Sequence, residues 1–316
     1  MARPFGALRI CGTVSSIAVD PQSQLCLVTT MSDGAHLHPV QSSAEPTFLP
    51  RSTIGPFDDD LLYSSAFVGD GSRCCFGTVR GNICLFDIFK RTLVCTWSEP
   101  PKVHPVMFLL HCASAKNDSV AALTEDGIRI IDFSSENPTA IHFPSYGSAA
   151  AAALMGNTVV ISDHRGAILI YDIRSNRQPT SIRKVNENVL CMAASRNGSY
   201  AMGTVDGKVV VLRGAPSEIK EQAMCRGSHR SPYCSMDYRG DLVIAGSLDG
   251  RISVFNTALQ QSASADLSIG SFPEETNVAA TFRWKVQAVA TNRKYAWCGF
   301  VSPLHTHSFV GLISIT

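Results

Sequence analysis

The sequence predicts an all-β protein, because short apolar runs alternate with glycine-containing turns along its 316 residues. The turns are Asp-Gly or Arg-Gly pairs that recur at intervals of roughly 40 to 47 residues. They are Asp33-Gly34, Arg80-Gly81, Asp126-Gly127, Arg165-Gly166, Asp206-Gly207 and Asp249-Gly250. A repeat of this length is typical of the blades of a β-propeller, which bury a core only when they stack side by side.

Apolar runs on both sides of each turn predict the strands of a blade. Runs rich in Val, Ile and aromatic residues favour strands, and they follow the turns at 83–87, 128–132, 168–172 and 252–256. A two-residue Asp-Gly turn is expected to join two strands as a tight hairpin, because Gly readily adopts positive φ. A further strand upstream and a more polar fourth strand complete each blade.

The chain is expected to form one seven-bladed propeller of the WD-repeat type, spanning residues 1–316. The seventh unit begins near Val286, lacks an Asp-Gly turn and has no room for a fourth strand after its last apolar run, so residues 6–10 are expected to supply its outer strand and close the ring. The alanine run 149–153 is interpreted as the innermost strand of blade four. The Ser- and Ala-rich segment 258–281 is predicted to be a surface loop between blades six and seven.

The eleven cysteines favour a reduced protein without disulfides or metal. Their number is odd, no CxxC pair occurs, and most fall at strand positions, where Cys behaves as a small apolar core residue. A zinc site formed by Cys298, His305 and His307 is the alternative, although its spacing is a weak match to known sites. No metal and no cofactor are therefore expected.

Net charge and motifs exclude several functional classes. A net charge of +1 argues against a nucleic-acid or membrane surface that works by bulk charge. No apolar run approaches the roughly 20 residues of a membrane span, and no signal peptide is expected after Met1. No phosphate loop or nucleophile–base pair has motif support, so no catalytic residue is assigned. A propeller enzyme remains an alternative that would require titratable groups in the central channel.

Five segments carry a resemblance to a known family. They are residues 15–30, 155–174, 203–211, 224–230 and 311–314. Together with the blade order, they resemble the Bub-three family of WD-repeat proteins of the mitotic checkpoint, whose sister group comprises the Rae-one or Gle-two messenger-RNA export factors. The sequence departs from that pattern in having no Trp-Asp pair; Phe86-Asp87 stands at one such position.

The resemblance implies a non-enzymatic adaptor of the spindle assembly checkpoint, located in the nucleus and at kinetochores with a cytoplasmic pool. Family members hold acidic GLEBS-like motifs of checkpoint kinases with basic residues on one face. The matching positions in this chain are Lys208, Arg226, His229 and Arg230. Met31 stands where the family has a Trp used for a phosphorylated kinetochore peptide, so phosphopeptide recognition is left open. The alternative is an export adaptor that binds a nucleoporin.

Overall fold

The structure, a computed structural model, describes most of the chain between residues 3 and 315. The residues between these limits that it does not describe are 23, 41–44, 56–58, 99–103, 112–118, 136, 146, 175–177, 186, 196, 215–219, 227–229, 258–264, 269–283, 293 and 303–307. The described residues form one short helix, α1 (Arg51–Ile54), and seven four-stranded antiparallel sheets. This arrangement confirms the predicted all-β fold with seven blades.

Blades one to three each take four consecutive strands, which follow the chain from the innermost to the outermost. Blade one contains β2 (Val14–Val19), β3 (Leu25–Thr30), β4 (Gly34–Pro39) and β5 (Thr47–Pro50). Blade two contains β6 (Leu62–Val68), β7 (Arg73–Thr78), β8 (Ile83–Asp87) and β9 (Thr92–Trp97). Blade three contains β10 (Phe108–His111), β11 (Ser119–Thr124), β12 (Gly127–Asp132) and β13 (Thr139–Pro144).

Blades four to six follow the same order, and blade seven combines both halves of the chain. Blade four contains β14 (Ala149–Met155), β15 (Thr158–Asp163), β16 (Ala167–Asp172) and β17 (Ser181–Lys184). Blade five contains β18 (Val189–Ser195), β19 (Ser199–Thr204), β20 (Lys208–Arg213) and β21 (Lys220–Arg226). Blade six contains β22 (Tyr233–Arg239), β23 (Leu242–Ser247), β24 (Arg251–Asn256) and β25 (Ala265–Ser268). Blade seven contains β26 (Lys285–Thr291), β27 (Tyr295–Val301), β28 (Ser308–Ser314) and β1 (Arg3–Ile10).

The ring closes through blade seven. The innermost strands contact one another in a cycle, from β2 through β6, β10, β14, β18 and β22 to β26 and back to β2. Strand β1 pairs antiparallel with β28, with Ile10 opposite Ser308 and Arg3 opposite Ser314. The predicted pairing of residues 6–10 with the last blade is therefore confirmed, and the paired segment extends back to Arg3.

The predicted two-residue hairpins are correct in blade three but wrong in most other blades. In blade three Thr124 pairs with Gly127, so Glu125 and Asp126 form a two-residue connection. In blade two the N–H of Thr78 donates instead to the carbonyl of Asn82, which leaves three residues in the connection. The dipeptide identifies the turns but not their length, because in blades two and five a Thr hydroxyl accepts a bond from the N–H four residues later and so closes a longer connection.

The prediction for the alanine run is confirmed, whereas the prediction for the segment 258–281 is partly wrong. The alanine run does form the innermost strand of blade four, β14, and is buried along its length. The prediction of a loop over 258–281 is wrong at Ala265–Ser268, which forms β25 and pairs with β24. An outer strand has only one neighbouring strand and needs few apolar residues, so its composition did not indicate a strand. The rest of that segment lies outside the described residues.

Neighbouring blades meet closely where a glycine on the second strand faces the next blade. A Cβ atom on Gly246 would lie 2.3 Å from Cγ1 of Val286, the second residue of β26. A Cβ atom on Gly203 would lie 2.8 Å from Cβ of Tyr233, the first residue of β22. Hydroxyl groups add to these seams: Ser235 Oγ donates to the carbonyl of Val286 at 3.0 Å. The seams therefore have no room for a larger residue.

Seven of the ten described cysteines are buried in the sheets, and Cys11 is exposed. Ten are described, and none of these ten is joined in a disulfide, whereas Cys112 lies outside the described residues. Burial raises the pKa of Cys84 to about 12 and that of Cys234 to about 11. Because the thiolate is the reactive form, these two groups are unreactive core residues.

Candidate partner-binding face

The connections between the second and third strands all lie on one side of the ring, which we call the turn face. In blade two Gly81 adopts φ +85°, and its N–H donates to the carbonyl of Thr78. The Thr78 hydroxyl accepts a second bond from the N–H of Asn82 at 3.0 Å. Blade five repeats this arrangement with Thr204, Gly207 and Lys208, where the N–H of Lys208 lies 3.1 Å from the Thr204 hydroxyl. The Ser or Thr three residues before the glycine is thus a turn signal that the dipeptide alone does not show.

An exposed apolar arc follows from this turn geometry. The residue after the Ser or Thr donates its N–H to the residue that precedes the innermost strand of the same blade. These bonds run from Met31 to Thr13, from Val79 to Leu61, from Val205 to Asn188 and from Leu248 to Pro232, at 2.9 to 3.0 Å. They hold the first turn residue beside the mouth of the central channel.

We call the five apolar residues at this mouth the turn-face rim. They are Met31, Leu61, Val79, Val205 and Leu248. Leu248 is 47% exposed, and Leu61 and Val205 are each 37% exposed. Blades three and four carry Glu125 and His164 at the corresponding positions, so the apolar arc covers one side of the mouth. Met31 and Val79 are half-buried, and the corresponding connection of blade seven lies outside the described residues. Exposed apolar residues grouped around a channel mouth are typical of interaction surfaces.

Lys208, the first of the predicted basic residues, is engaged within the protein. Its Nζ lies 2.5 Å from Oε1 of Glu187, and the two side chains are only 17% and 14% exposed. A second carboxylate, that of Asp206, lies 3.9 Å from the same nitrogen. A carboxylate of a partner would therefore have to compete with Glu187 for this cation.

The other predicted site residues are described to different extents. Arg230 is exposed on the connection that leads into blade six. Arg226 is the last residue of β21 and lies opposite Lys208 in the strand register, so the structure brings these two positions together. His229 lies outside the described residues. Met31 is part of the turn-face rim, on the far side of the channel mouth from blade four. No observation tests binding by these residues, and their role stays a prediction.

The charged side chains of the turn face differ in whether they form ion pairs. Arg80, Arg165 and Arg230 are exposed, and no described residue forms an ion pair with their guanidinium groups. Among the acidic groups, Asp249 lies 3.7 Å from Nε of Arg251 and Glu187 is paired with Lys208, whereas Asp33 is exposed and forms no ion pair with a described residue. The exposed cations complement an acidic ligand.

Blade three carries a buried ion pair at its turn. Both carboxylate oxygens of Asp126 accept bonds of 2.9 Å from the guanidinium of Arg129, whose side chain is 6% exposed. This pairing holds the pKa of Asp126 well below its usual value. His142 contributes as well, with Nε2 at 3.9 Å from Asp126 Oδ2. Arg129 also donates to the Thr124 hydroxyl at 2.6 Å, so these bonds fix the turn.

Neither a metal centre nor a membrane helix is found in the part of the chain that the structure describes. Its His, Cys, Asp and Glu side chains form no group of three or more that could hold a metal ion. His305 and His307, two of the three ligands in the alternative zinc site, lie outside that part. No described helix is long and apolar enough to cross a membrane.

Comparisons with known proteins bear on the fold. No protein-family model matches the sequence, and no curated protein sequence is detectably similar to it. Among solved structures, the β-propeller domain of Cps50 (Swd1) from Myceliophteria thermophila superposes with a TM-score of 0.75 at 11% sequence identity. The match covers 96% of this chain and 98% of that domain. The chain thus shares the whole β-propeller fold of a protein with which it has little sequence in common.

Proposed function

We propose that this protein is a non-enzymatic scaffold that binds a short acidic protein segment on its turn face. The observation that carries the proposal is the turn-face rim, which places apolar side chains in solvent at equivalent positions of several blades. A rigid ring loses little conformational entropy when it binds an extended segment, and this favours affinity. Because the guanidinium groups of Arg80, Arg165 and Arg230 are exposed on this face, we expect the ligand to be negatively charged.

The resemblance to the Bub-three family makes this proposal more specific. We propose that the segment is a GLEBS-like motif of a checkpoint kinase, and that the protein takes this kinase to kinetochores in the nucleus. The alternative ligand is the GLEBS-like motif of a nucleoporin, in an export adaptor of the Rae-one or Gle-two kind. The basic residues expected to hold the motif are Lys208, Arg226, His229 and Arg230.

Calorimetry with a synthetic acidic GLEBS-like peptide tests the proposal. We expect Lys208→Glu combined with Arg230→Glu to abolish binding, and each single change to cost about 1.5 to 3 kcal/mol, the scale of hydrogen bonds to charged groups. Because Lys208→Glu also brings a second carboxylate beside Glu187, its binding is compared with wild type only where thermal unfolding shows that the variant is folded. Binding should also weaken with added salt, because the charges lie at a solvent-exposed face. Leu248→Asp should weaken binding as well, because it removes an apolar contact from the rim.

The matched control is Ile182→Asp, which changes an apolar residue that is 58% exposed on the outer strand of blade four, away from the turn face. It should leave peptide affinity unchanged. Equal affinity of Leu248→Asp and wild-type protein would overturn the rim as the binding site. Affinity purification with mass spectrometry then separates the two adaptors: recovery of checkpoint kinases favours the first, and recovery of nucleoporins favours the second.

A further inference from the structure

The central channel contains a cavity that the proposed function does not use. It has a volume of about 280 Å³ and lies between the first halves of the innermost strands, toward the turn face. Six of the seven innermost strands carry a β-bulge there, at Ser15, Tyr63, Ala150, Leu190, Cys234 and Gln287. All six of these residues line the cavity. A bulge redirects a side chain, and the repeated bulges direct one residue of each strand into the channel.

The alanine run of blade four provides the space. Ala150, Ala151 and Ala152 line the cavity, where the corresponding residues of other blades include Leu109, Met192 and Tyr63. Three consecutive small side chains on one innermost strand leave room that a longer side chain would fill. The cavity is near the lower end of the volumes of ligand sites, which begin at about 300 Å³. Its size suits one side chain or a molecule of a few heavy atoms.

The lining is amphipathic and uncharged. Hydroxyl and amide groups come from blades six, seven, one and two, as Ser235, Gln287, Ser15, Tyr63 and Ser64. Blades three to five contribute mainly apolar groups, as Met107, Leu109, Leu190 and Met192 in addition to the alanines, and the other blades add Ile17, Met236, Ala288 and Val289. None of the residues that line this cavity is Asp, Glu, Lys, Arg or His. A charged ligand group would therefore lose its hydration without gaining an ionic partner, which is costly.

The polar side of the cavity can both donate and accept hydrogen bonds. Ser64 Oγ donates its proton to the carbonyl of Val106 at 2.8 Å, and Ser15 Oγ donates to the carbonyl of Thr29 at 3.3 Å. Ser235 Oγ donates to the next blade in the same way. The protons of these three hydroxyls are therefore used within the protein, and the Oγ atoms of Ser64 and Ser235 lie in blade seams, each 2.6 Å from the position that a Cβ atom on Gly77 or Gly246 would take. Ser16 Oγ instead accepts bonds from the N–H and the hydroxyl of Ser65, and its own proton has no acceptor among the described residues. The Tyr63 hydroxyl and the Gln287 amide bond to no described residue and can adapt to a ligand.

We infer that this channel cavity binds an uncharged amphipathic group, with its polar part toward Ser15, Ser16, Tyr63 and Gln287 and its aliphatic part toward the alanine run. An alkyl amide has this chemistry, and so does the side chain of Gln. The group can belong to a free small molecule or to a protein segment that enters from the turn face. The inference rests on the cavity lining and does not depend on the proposed acidic ligand.

Methyl NMR of the full-length protein labelled at its methionines tests this inference without a partner. Met107, Met192 and Met236 line the cavity, whereas Met155 and Met224 lie outside it and serve as internal controls. The probe is pentanamide, and its charged counterparts of similar size are pentanoate and pentylammonium. We expect pentanamide to shift the three cavity methyl signals in a saturable way, and both ions to bind at least about tenfold more weakly, because neither charge finds an ionic partner in the cavity.

A variant that fills the cavity sharpens the test. Ala150→Leu should abolish the pentanamide shifts while the Met155 and Met224 signals keep their positions, which shows that the fold is intact. Should the fold be lost, Leu190→Ala offers a second measurement, because it enlarges the apolar side and should improve the affinity for longer alkyl amides. Unsaturable shifts, equal binding of the ions, or unchanged pentanamide binding in Ala150→Leu would each overturn the inference.

A second arm identifies the source of the ligand group. The probes are the capped tripeptides Gly-Gln-Gly and Gly-Lys-Gly, whose central side chains differ in charge. Cavity shifts from the Gln peptide show that a peptide-borne side chain can enter from the turn face, and their absence beside a pentanamide response assigns a free small molecule. Binding of the Lys peptide at the cavity methionines would contradict the uncharged chemistry.

Discussion

The seams between blades and the turn-face rim differ in the substitutions that they should tolerate. In blade six the two regions are only two residues apart in the sequence. Gly246 lies in the seam between blades six and seven, where an added Cβ atom would be 2.3 Å from Val286. Leu248 follows the same strand and is 47% exposed. The ring geometry therefore constrains the strand up to its end, and the turn beyond it is free to vary for binding.

The largest effect should follow a substitution in a seam. We expect Gly246→Val to lower the free energy of unfolding by about 3 kcal/mol or more, because the new side chain overlaps atoms of the neighbouring blade and the packed interior has no space for it. Urea denaturation followed by fluorescence measures the change. A loss below about 1 kcal/mol would show that the blades can move apart.

Gly240→Ala is the matched control for the seam. Gly240 adopts φ +59°, and no atom lies within 4 Å of the position that its Cβ would take. The expected cost is that of the left-handed backbone conformation, about 1 to 2 kcal/mol. The difference between the two glycine variants then measures steric crowding in the seam separately from backbone strain.

The turn of blade three tests whether any part of the turn face is as constrained as a seam. Asp126→Asn should cost about 3 kcal/mol, because it leaves the buried Arg129 guanidinium without its carboxylate. The corresponding change in blade five, Asp206→Asn, should cost less than about 1 kcal/mol, since that side chain is 67% exposed and lies 3.9 Å from Lys208 Nζ. Thermal unfolding of both variants provides the comparison. Similar losses would mean that the turn position, and not the buried pair, determines stability.

Two histidines of blade one predict that the stability of the protein depends on pH. The expected change lies between the effects of the seam and rim substitutions. His36 and His38 lie on one side of β4 with ring centroids 6.1 Å apart, and the Nε2 atoms of both are buried without a hydrogen-bond partner among the described residues. Burial lowers the pKa of both imidazoles, and the neighbouring His36 helps to lower the pKa of His38 to about 4. The unfolded chain therefore takes up these protons first as the pH falls.

Stability should accordingly be greatest above the unfolded pKa of about 6.5 and decrease by about 2 kcal/mol as the pH falls toward 4. Unfolding curves collected across this range measure the slope. A variant with His36→Gln and His38→Gln should have a flatter profile between these limits. An unchanged profile would assign the acid sensitivity to other groups.

The smallest effect on stability should come from the rim itself. Leu248→Ser should change the free energy of unfolding by less than about 0.5 kcal/mol, because the side chain already contacts solvent. The same variant should bind an acidic GLEBS-like peptide less tightly than the wild-type protein. A large stability loss would show that the rim is part of the core and would remove the contrast with the seams.

The fold could be predicted largely from the sequence because each blade repeats a local pattern. Turns such as Arg80-Gly81 mark hairpins whose strands pair within a few residues, and the incomplete seventh unit predicted that β1 closes the ring. Strand β25 was missed, since one neighbouring strand suffices to hold a short polar segment. Turn lengths were also missed, because the hydroxyl of Thr78 or Thr204 completes the turn from four residues away.

Less of the candidate site than of the fold could be predicted from the sequence. A single sequence shows that Lys208 is basic, but only the fold shows that Glu187, in the connection between blades four and five, neutralises it. The rim could have been recognised from the apolar residue after each turn-forming Ser or Thr, a signal visible at Met31, Val79, Val205 and Leu248. The channel cavity had no such signal, because it depends on bulges in strands that are far apart in the chain.

The pairing of β1 with β28 also sets the order in which the molecule can assemble. Ile10 of β1 lies opposite Ser308 of β28, and the N–H of Val14 in β2 donates to the hydroxyl of the same Ser308 across 294 residues of sequence, whereas the strands of blades one to six pair with near neighbours. Contacts this distant in sequence require closure of a very long loop, which makes them slow to form. Six blades can therefore form while the ring is still open, and the innermost strands enclose the channel only when the final sheet is complete.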